Sequence, residues 1–132
     1  RHVRPFAAAI EAGAPAVMPA HLLFPAIDAE YPVTLSDVFI GGLLRDDLGF
    51  EGMVISDGLS MGALAKNYTL EDTIARCFQV GIDAILVHSK YSVQELVGIV
   101  EGMVEQGVVT RRQIDEGLLR VLRAKRTAGL LN

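Results

Sequence analysis

Met53-Val54-Ile55-Ser56 runs directly into Asp57-Gly58-Leu59-Ser60-Met61-Gly62, and the fold turns on how this passage is read. The first four residues do not alternate polar with apolar. A short continuous run of this kind suits a strand buried on both faces, as in a parallel sheet. Two further runs share the pattern, Ala16-Val17-Met18-Pro19-Ala20 upstream and Ala84-Ile85-Leu86-Val87 downstream. Pro19 weakens the end of the first, because proline has no N–H to give to a ladder. The three runs begin about 30 residues apart or a little more, the length of one βαβ unit.

Helical patterns fill the intervals. Leu35, Val38, Phe39, Leu43 and Leu44 form one apolar stripe; Leu70, Ile74 and Phe78 form a second. Val93, Leu96, Val97, Val100, Met103 and Val104 form a third, and Ile114, Leu118, Val121 and Leu122 a fourth. All follow the i, i+3, i+4, i+7 spacing of a one-sided amphipathic helix. Ser92 with Glu95 and Thr110 with Gln113 match the reciprocal capping box. Thr34 with Asp37 and Thr69 with Asp72 are looser versions. Gly49, Gly81 and Gly107 fall where these helices should stop. The N-terminal segment also reads as a helix. Strand–helix alternation of this kind predicts an α/β fold with a parallel sheet. No linker, low-complexity stretch or charge run interrupts it, so residues 1–132 read as one unit without an internal boundary.

Composition agrees with a packed domain. Of 132 residues, 51% are hydrophobic, which excludes a disordered segment. One cysteine, Cys77, cannot form an intrachain disulfide and reads as a small buried hydrophobe. Twelve basic against sixteen acidic residues leave a formal charge of −4, without the basic stripe expected of a nucleic-acid binder. No stretch approaches the ~20 apolar residues of a membrane span. The three histidines and Cys77 do not fall at metal-ligand spacing.

Functional residues of parallel α/β folds sit at the carboxyl ends of the strands. Here the first run leads into His21, the second into Asp57 and the third into His88. The connection from Asp57 to Tyr68 is long, whereas most βα loops have ~2–6 residues. Asp57 could serve as nucleophile, general base or metal ligand. Asp46, Asp47 and Glu51 belong to the preceding helix and turn on the opposite rim, so Asp57 has no acidic neighbour to share a magnesium ion. A purely structural alternative has Asp57 capping a short helical turn and Met61 plugging the core.

The stretch Leu48-Gly49-Phe50-Glu51-Gly52-Met53-Val54-Ile55-Ser56-Asp57-Gly58-Leu59-Ser60-Met61 resembles the nucleophile segment of glycoside hydrolase family 3, in its bacterial β-N-acetylhexosaminidase branch. Val17-Met18-Pro19-Ala20-His21 through Phe24-Pro25-Ala26-Ile27-Asp28 is similar to the preceding strand and loop of that group. Gly81-Ile82-Asp83-Ala84-Ile85-Leu86-Val87 looks like the final barrel strand, and Leu122-Arg123-Ala124-Lys125-Arg126 through Gly129-Leu130 like the closing helix. The resemblance implies that Asp57 is the nucleophile of a retaining glycosidase, with His21, Met61 and His88 as substrate-pocket residues. It implies no cofactor and no metal, a carbohydrate substrate with terminal β-linked N-acetylglucosamine in cell-wall (peptidoglycan) fragments, and a cytoplasmic location. Where the group commonly carries a second aspartate, this chain has Gly58.

A (β/α)₈ barrel takes ~250 residues. Three βα units would be its C-terminal portion, a partial catalytic domain. The general acid/base of the group lies on an earlier histidine-containing loop that has no counterpart here. The chain alone is therefore expected to be inactive. It is expected to associate with the rest of the barrel, or with itself through unpaired strand edges. Two alternatives remain: a family relative cleaving β-glucosides or β-xylosides, and a small flavodoxin-like binding or regulatory domain.

Overall fold

A computed structural model describes residues 2–87 and 91–131. The chain opens with α1 (Arg4–Glu11), followed by β1 (Ala16–Val17). A long loop then leads to a 3₁₀ turn (Val33–Leu35) and a π-helix (Val38–Asp47). Next come β2 (Met53–Val54), the short α2 (Gly62–Ala65) and three longer helices: α3 (Leu70–Val80), α4 (Val93–Glu105) and α5 (Arg111–Thr127).

The strands are parallel, as the sequence predicts, with Ala16 opposite Met53 and Val17 opposite Val54. The first ends before Pro19, where the ladder would need an N–H. The third run joins by a single parallel bridge between Ile55 and Ala84 rather than as a full strand. The reason is chemical. Ser56 N–H still donates to the Ala84 carbonyl at 2.8 Å, but the Leu86 N–H is taken by the Ser56 hydroxyl at 3.0 Å. A side chain thus replaces the backbone acceptor that would have continued the ladder.

The expectation of burial on both faces holds for one face only. Side chains alternate along a strand, and partners in register share a face. Val17, Val54, Ser56 and Ile85 face the helices; Val54 and Ser56 are fully buried. Ala16, Met18, Met53, Ile55, Ala84 and Leu86 face the other way. Met18 is 48% exposed there and Leu86 41%. No described element covers this face.

Between sheet and helices lies a core that includes Leu35, Ile40, Val54, Leu64, Ile74, Cys77, Ile82 and Val109. Each such aliphatic side chain contributes about 1.5–3 kcal/mol on burial. Cys77 is fully buried, as expected, and burial pushes its thiol up to about 12.

The helix signals divide into two groups. Ser92/Glu95 and Thr110/Gln113 form complete capping boxes, and the Thr69 hydroxyl accepts the Asp72 N–H at 3.0 Å. Gly81 ends α3 at φ +91°, in the left-handed region where a Cβ would be strained. The segment around residues 35–48 differs from its reading. It winds as a π-helix, with Leu48 N–H bonded to the Leu43 carbonyl. Along it Ile40 and Leu44 are buried while Val38 is 51% exposed. Gly41 and Gly42 inside it lend little preference for α geometry. Thr34 does not cap this helix either; its hydroxyl is occupied elsewhere, and Ser36 Oγ accepts the Phe39 N–H instead.

A buried charge cluster fixes the end of the sheet where the strands begin. The Asp83 side chain has no exposure. Its Oδ2 accepts from Arg45 at 3.0 Å and from the Val54 N–H at 2.8 Å, and its Oδ1 from Arg120 at 2.8 Å. Arg45 also donates to the Phe50 and Gly52 carbonyls at 2.8 and 2.7 Å, and its guanidinium lies over the Phe50 ring. Burial lowers this guanidinium from its ordinary value, and the Asp83 carboxylate opposes the shift. Gly52 is required by space. A Cβ there would come 2.5 Å from the Phe50 ring and 2.7 Å from the Pro15 carbonyl. That same carbonyl accepts the Met53 N–H and starts the β1–β2 pairing.

Candidate active site

Asp57 follows β2 at the opposite end from Asp83, where the carboxyl ends of parallel strands collect. By alternation it belongs to the open face, with Met53 and Ile55. It is half-buried, and its Oδ1 accepts the Gly58 N–H at 2.7 Å. The structural alternative for this residue does not hold. Asp57 caps no helix, since α2 begins only at Gly62 and its cap position, Met61, makes no side-chain cap bond. Met61 is 48% exposed and does not plug the core; Leu59 and Leu64 do.

The backbone around Asp57 is held on both sides. Upstream, Ser56 is tied to the third run by the two bonds already described. Downstream, the Leu59 N–H donates to the Leu86 carbonyl at 3.0 Å. The Gly58 carbonyl accepts from the Met61 N–H at 3.1 Å and from His21 Nε2 at 3.1 Å. A carbonyl only accepts, so Nε2 carries a proton. His21 Nδ1 lies 2.9 Å from Thr34 Oγ1, and Thr34 in turn lies 3.4 Å from the Pro19 carbonyl. His21 is 8% exposed and Thr34 fully buried. Both ring nitrogens of His21 are therefore engaged within the chain.

The loop after β1 is ordered by Asp28. Its Oδ1 accepts the Glu30 and Tyr31 N–H groups at 2.9 Å each, and its Oδ2 accepts the Ser36 hydroxyl at 2.5 Å. The Ser36 bond first, then those from Tyr31 and Glu30, holds this carboxyl below the usual carboxylate range. Arg76 packs over the Tyr31 ring at 4.3 Å and donates to the Leu35 carbonyl, fastening the loop's end to α3.

Of the residues expected from sequence, Asp57, Met61 and His21 converge on one loop. A Cβ placed at Gly58 would lie 3.8 Å from Met61 Cγ, in ordinary contact, so a side chain there has room. His88 lies outside the described residues. Ser56, Thr34 and Asp83 carry structural weight that the sequence reading did not assign. Asp83 had a visible signal, a charge inside an apolar run, which burial tolerates only with partners. Thr34 had a misleading one, the spacing of a helix cap. Among the described residues, no three His, Cys, Asp or Glu side chains come together as a metal cluster, and no helix is long and apolar enough to cross a membrane.

Comparison with known proteins bears on this arrangement. Residues 1–124 match the glycosyl hydrolase family 3 N-terminal domain. A β-N-acetylglucosaminidase/β-glucosidase of Cellulomonas fimi is 30% identical over 95% of the chain and 24% of its own length. A β-hexosaminidase of Chromobacterium violaceum is 40% identical over 63% of the chain and 23% of its own length. The solved structure of a family 3 β-N-acetylglucosaminidase from Paenibacillus superposes with a TM-score of 0.87 at 35% identity. That match covers 96% of this chain and 24% of the other. The chain thus spans about a quarter of the length of these relatives. The matches also settle the architecture as part of a TIM-barrel-type α/β fold, which removes the flavodoxin-like alternative. Strand ends, motif order and these matches lead to one assignment: the chain belongs to the glycosyl hydrolase family 3 N-terminal domain family.

Proposed function

We propose that this chain carries the nucleophile of a retaining glycosidase that releases terminal β-linked N-acetylglucosamine, with cell-wall fragments as substrates. The observation that carries the reading is Asp57: a half-buried carboxylate at a strand's carboxyl end, on a loop held from both sides, within the matched segment. In the proposed reaction an Asp57 carboxylate oxygen attacks the anomeric carbon and the glycosidic C–O bond breaks. The leaving oxygen takes a proton from a general acid expected on an earlier loop. Water then hydrolyses the glycosyl-enzyme with retention. Met61, exposed beside Gly58, is proposed to line the sugar pocket, and His88 is proposed to do so as well.

Residues 1–132 are proposed to form one continuous portion of the catalytic domain. The uncovered face with Met18 and Leu86 supports association with the remainder of the barrel, or with a second copy through the strand edges. A stable, well-folded monomer in dilute solution, measured by size-exclusion chromatography with light scattering, would contradict this. The isolated chain is expected to show no turnover.

In the full-length protein, Asp57→Ala should remove nearly all turnover, and a mechanism-based fluorosugar should label Asp57. Near-wild-type activity of the variant, or label on another residue, would overturn the assignment. The Cellulomonas relative is named a β-glucosidase as well as a β-N-acetylglucosaminidase, which favours a second reading with β-glucosides as substrates. Paired aryl β-glucoside and aryl β-N-acetylglucosaminide assays decide between them.

A further inference from the structure

We propose that His21 is a positioning residue for Asp57, acting through the Gly58 carbonyl rather than by touching substrate; this rests on the reading of Asp57 as nucleophile. Asp57 Oδ1 is oriented by a bond to the N–H of Gly58. The direction of that N–H depends on the backbone at Gly58, where no Cβ restricts rotation. The peptide that follows Gly58 is clamped at both ends. Its N–H, on Leu59, is fixed to the Leu86 carbonyl; its C=O receives His21 Nε2–H. His21 is the side-chain member of this clamp and reaches across from the end of β1. Thr34 and the Pro19 carbonyl hold the ring from behind.

The cluster is built for orientation. His21 and Thr34 are buried, and both ring nitrogens have protein partners. A buried polar group left without its partner is costly, so these bonds lock the ring in one place. The geometry couples the first strand end to the second: where His21 sits decides where the Gly58 carbonyl, and hence the Asp57 carboxylate, points. Misplacing a reacting group by about 1 Å costs on the order of 100-fold in rate.

The test uses the full-length protein with His21→Phe, His21→Gln and Thr34→Val beside Asp57→Ala. Phenylalanine keeps the ring and loses the donor. Glutamine can still present an N–H toward Gly58. Valine keeps the shape of Thr34 and releases the imidazole. We expect His21→Phe to lower kcat by about 10- to 100-fold with KM within about twofold, and Thr34→Val to lower it less. His21→Gln should recover most of the loss. Amide hydrogen exchange at Leu59 and Met61 should accelerate in His21→Phe more than at the amides of α3 and α5. Wild-type kcat in His21→Phe, equal losses in the Phe and Gln variants, or a raised KM at unchanged kcat would each overturn the proposal. If His21→Phe does not fold, an unchanged kcat in Thr34→Val overturns it and a lowered one supports it. Inactive Asp57→Ala beside fully active His21→Phe refutes the His21 role alone; active Asp57→Ala refutes the nucleophile assignment itself.

Discussion

Asp83→Asn is the substitution whose cost can be worked most directly from the structure. The carboxylate has no exposure and receives three bonds, two on Oδ2 and one on Oδ1. An amide offers one acceptor oxygen. If that oxygen stays with Arg45 and the Val54 N–H, the NH₂ group faces Arg120, donor against donor. One charge-assisted bond is lost outright, worth about 1.5–3 kcal/mol. The other two lose their charge assistance and weaken. The sum is about 2–4 kcal/mol. Asp83→Ala removes every acceptor and leaves two arginine side chains, only 19% and 23% exposed, short of partners. That cost should reach about 3–5 kcal/mol, as for a broken buried ion pair. The assay is chemical denaturation of the full-length variants, reading midpoint and slope together. A double-mutant cycle with Arg120→Met should give a coupling of about 1–3 kcal/mol. A loss below about 0.5 kcal/mol for Asp83→Asn, or a coupling indistinguishable from zero, would refute the claim that this cluster fastens β2 to the π-helix and α5.

Two further outcomes follow from the geometry. Gly52→Ala should destabilise by about 1–3 kcal/mol, because its Cβ meets the Pro15 carbonyl and the Phe50 ring at sub-van der Waals distance; an unchanged denaturation midpoint would contradict it. Asp28 has a folded pKa below its unfolded one, so its stabilising contribution is present above the unfolded value and fades as pH falls through the folded value. Asp28→Asn should therefore flatten the acid side of the stability profile, measured as thermal midpoint against pH below about 4, while identical profiles would count against it.

Much of this protein was legible residue by residue. The parallel strands, both capping boxes, the Thr69 cap and the glycine stop after α3 follow from local chemistry, which depends on neighbours a few positions away. Asp57 was legible for a related reason: a strand of a parallel sheet delivers its last polar residue to one rim. The family motif sharpened this, and the structure supplies causes for two of its glycines. Gly49 sits at φ +62°, and Gly52 yields the space that Pro15 and Phe50 occupy.

Other features needed partners that are distant in sequence. Periodicity places Val38 on the inward stripe of a 3.6-residue helix; the segment winds as a π-helix instead, with Ile40 and Leu44 buried and Val38 exposed. Thr34 has the spacing of a cap, yet its hydroxyl goes to a histidine thirteen residues earlier. Ser56 ends a ladder by offering its side chain to a residue thirty positions on. The charge of Asp83 was plain in the chain, but its counter-ions lie 38 and 37 residues away on two different helices. Sequence alone determined the elements, their parallel order and the carboxylate at the strand end, because those depend on local spacing. How that carboxylate is held emerges only on folding, because the clamp on Gly58 joins two strand ends that lie 37 residues apart in the chain.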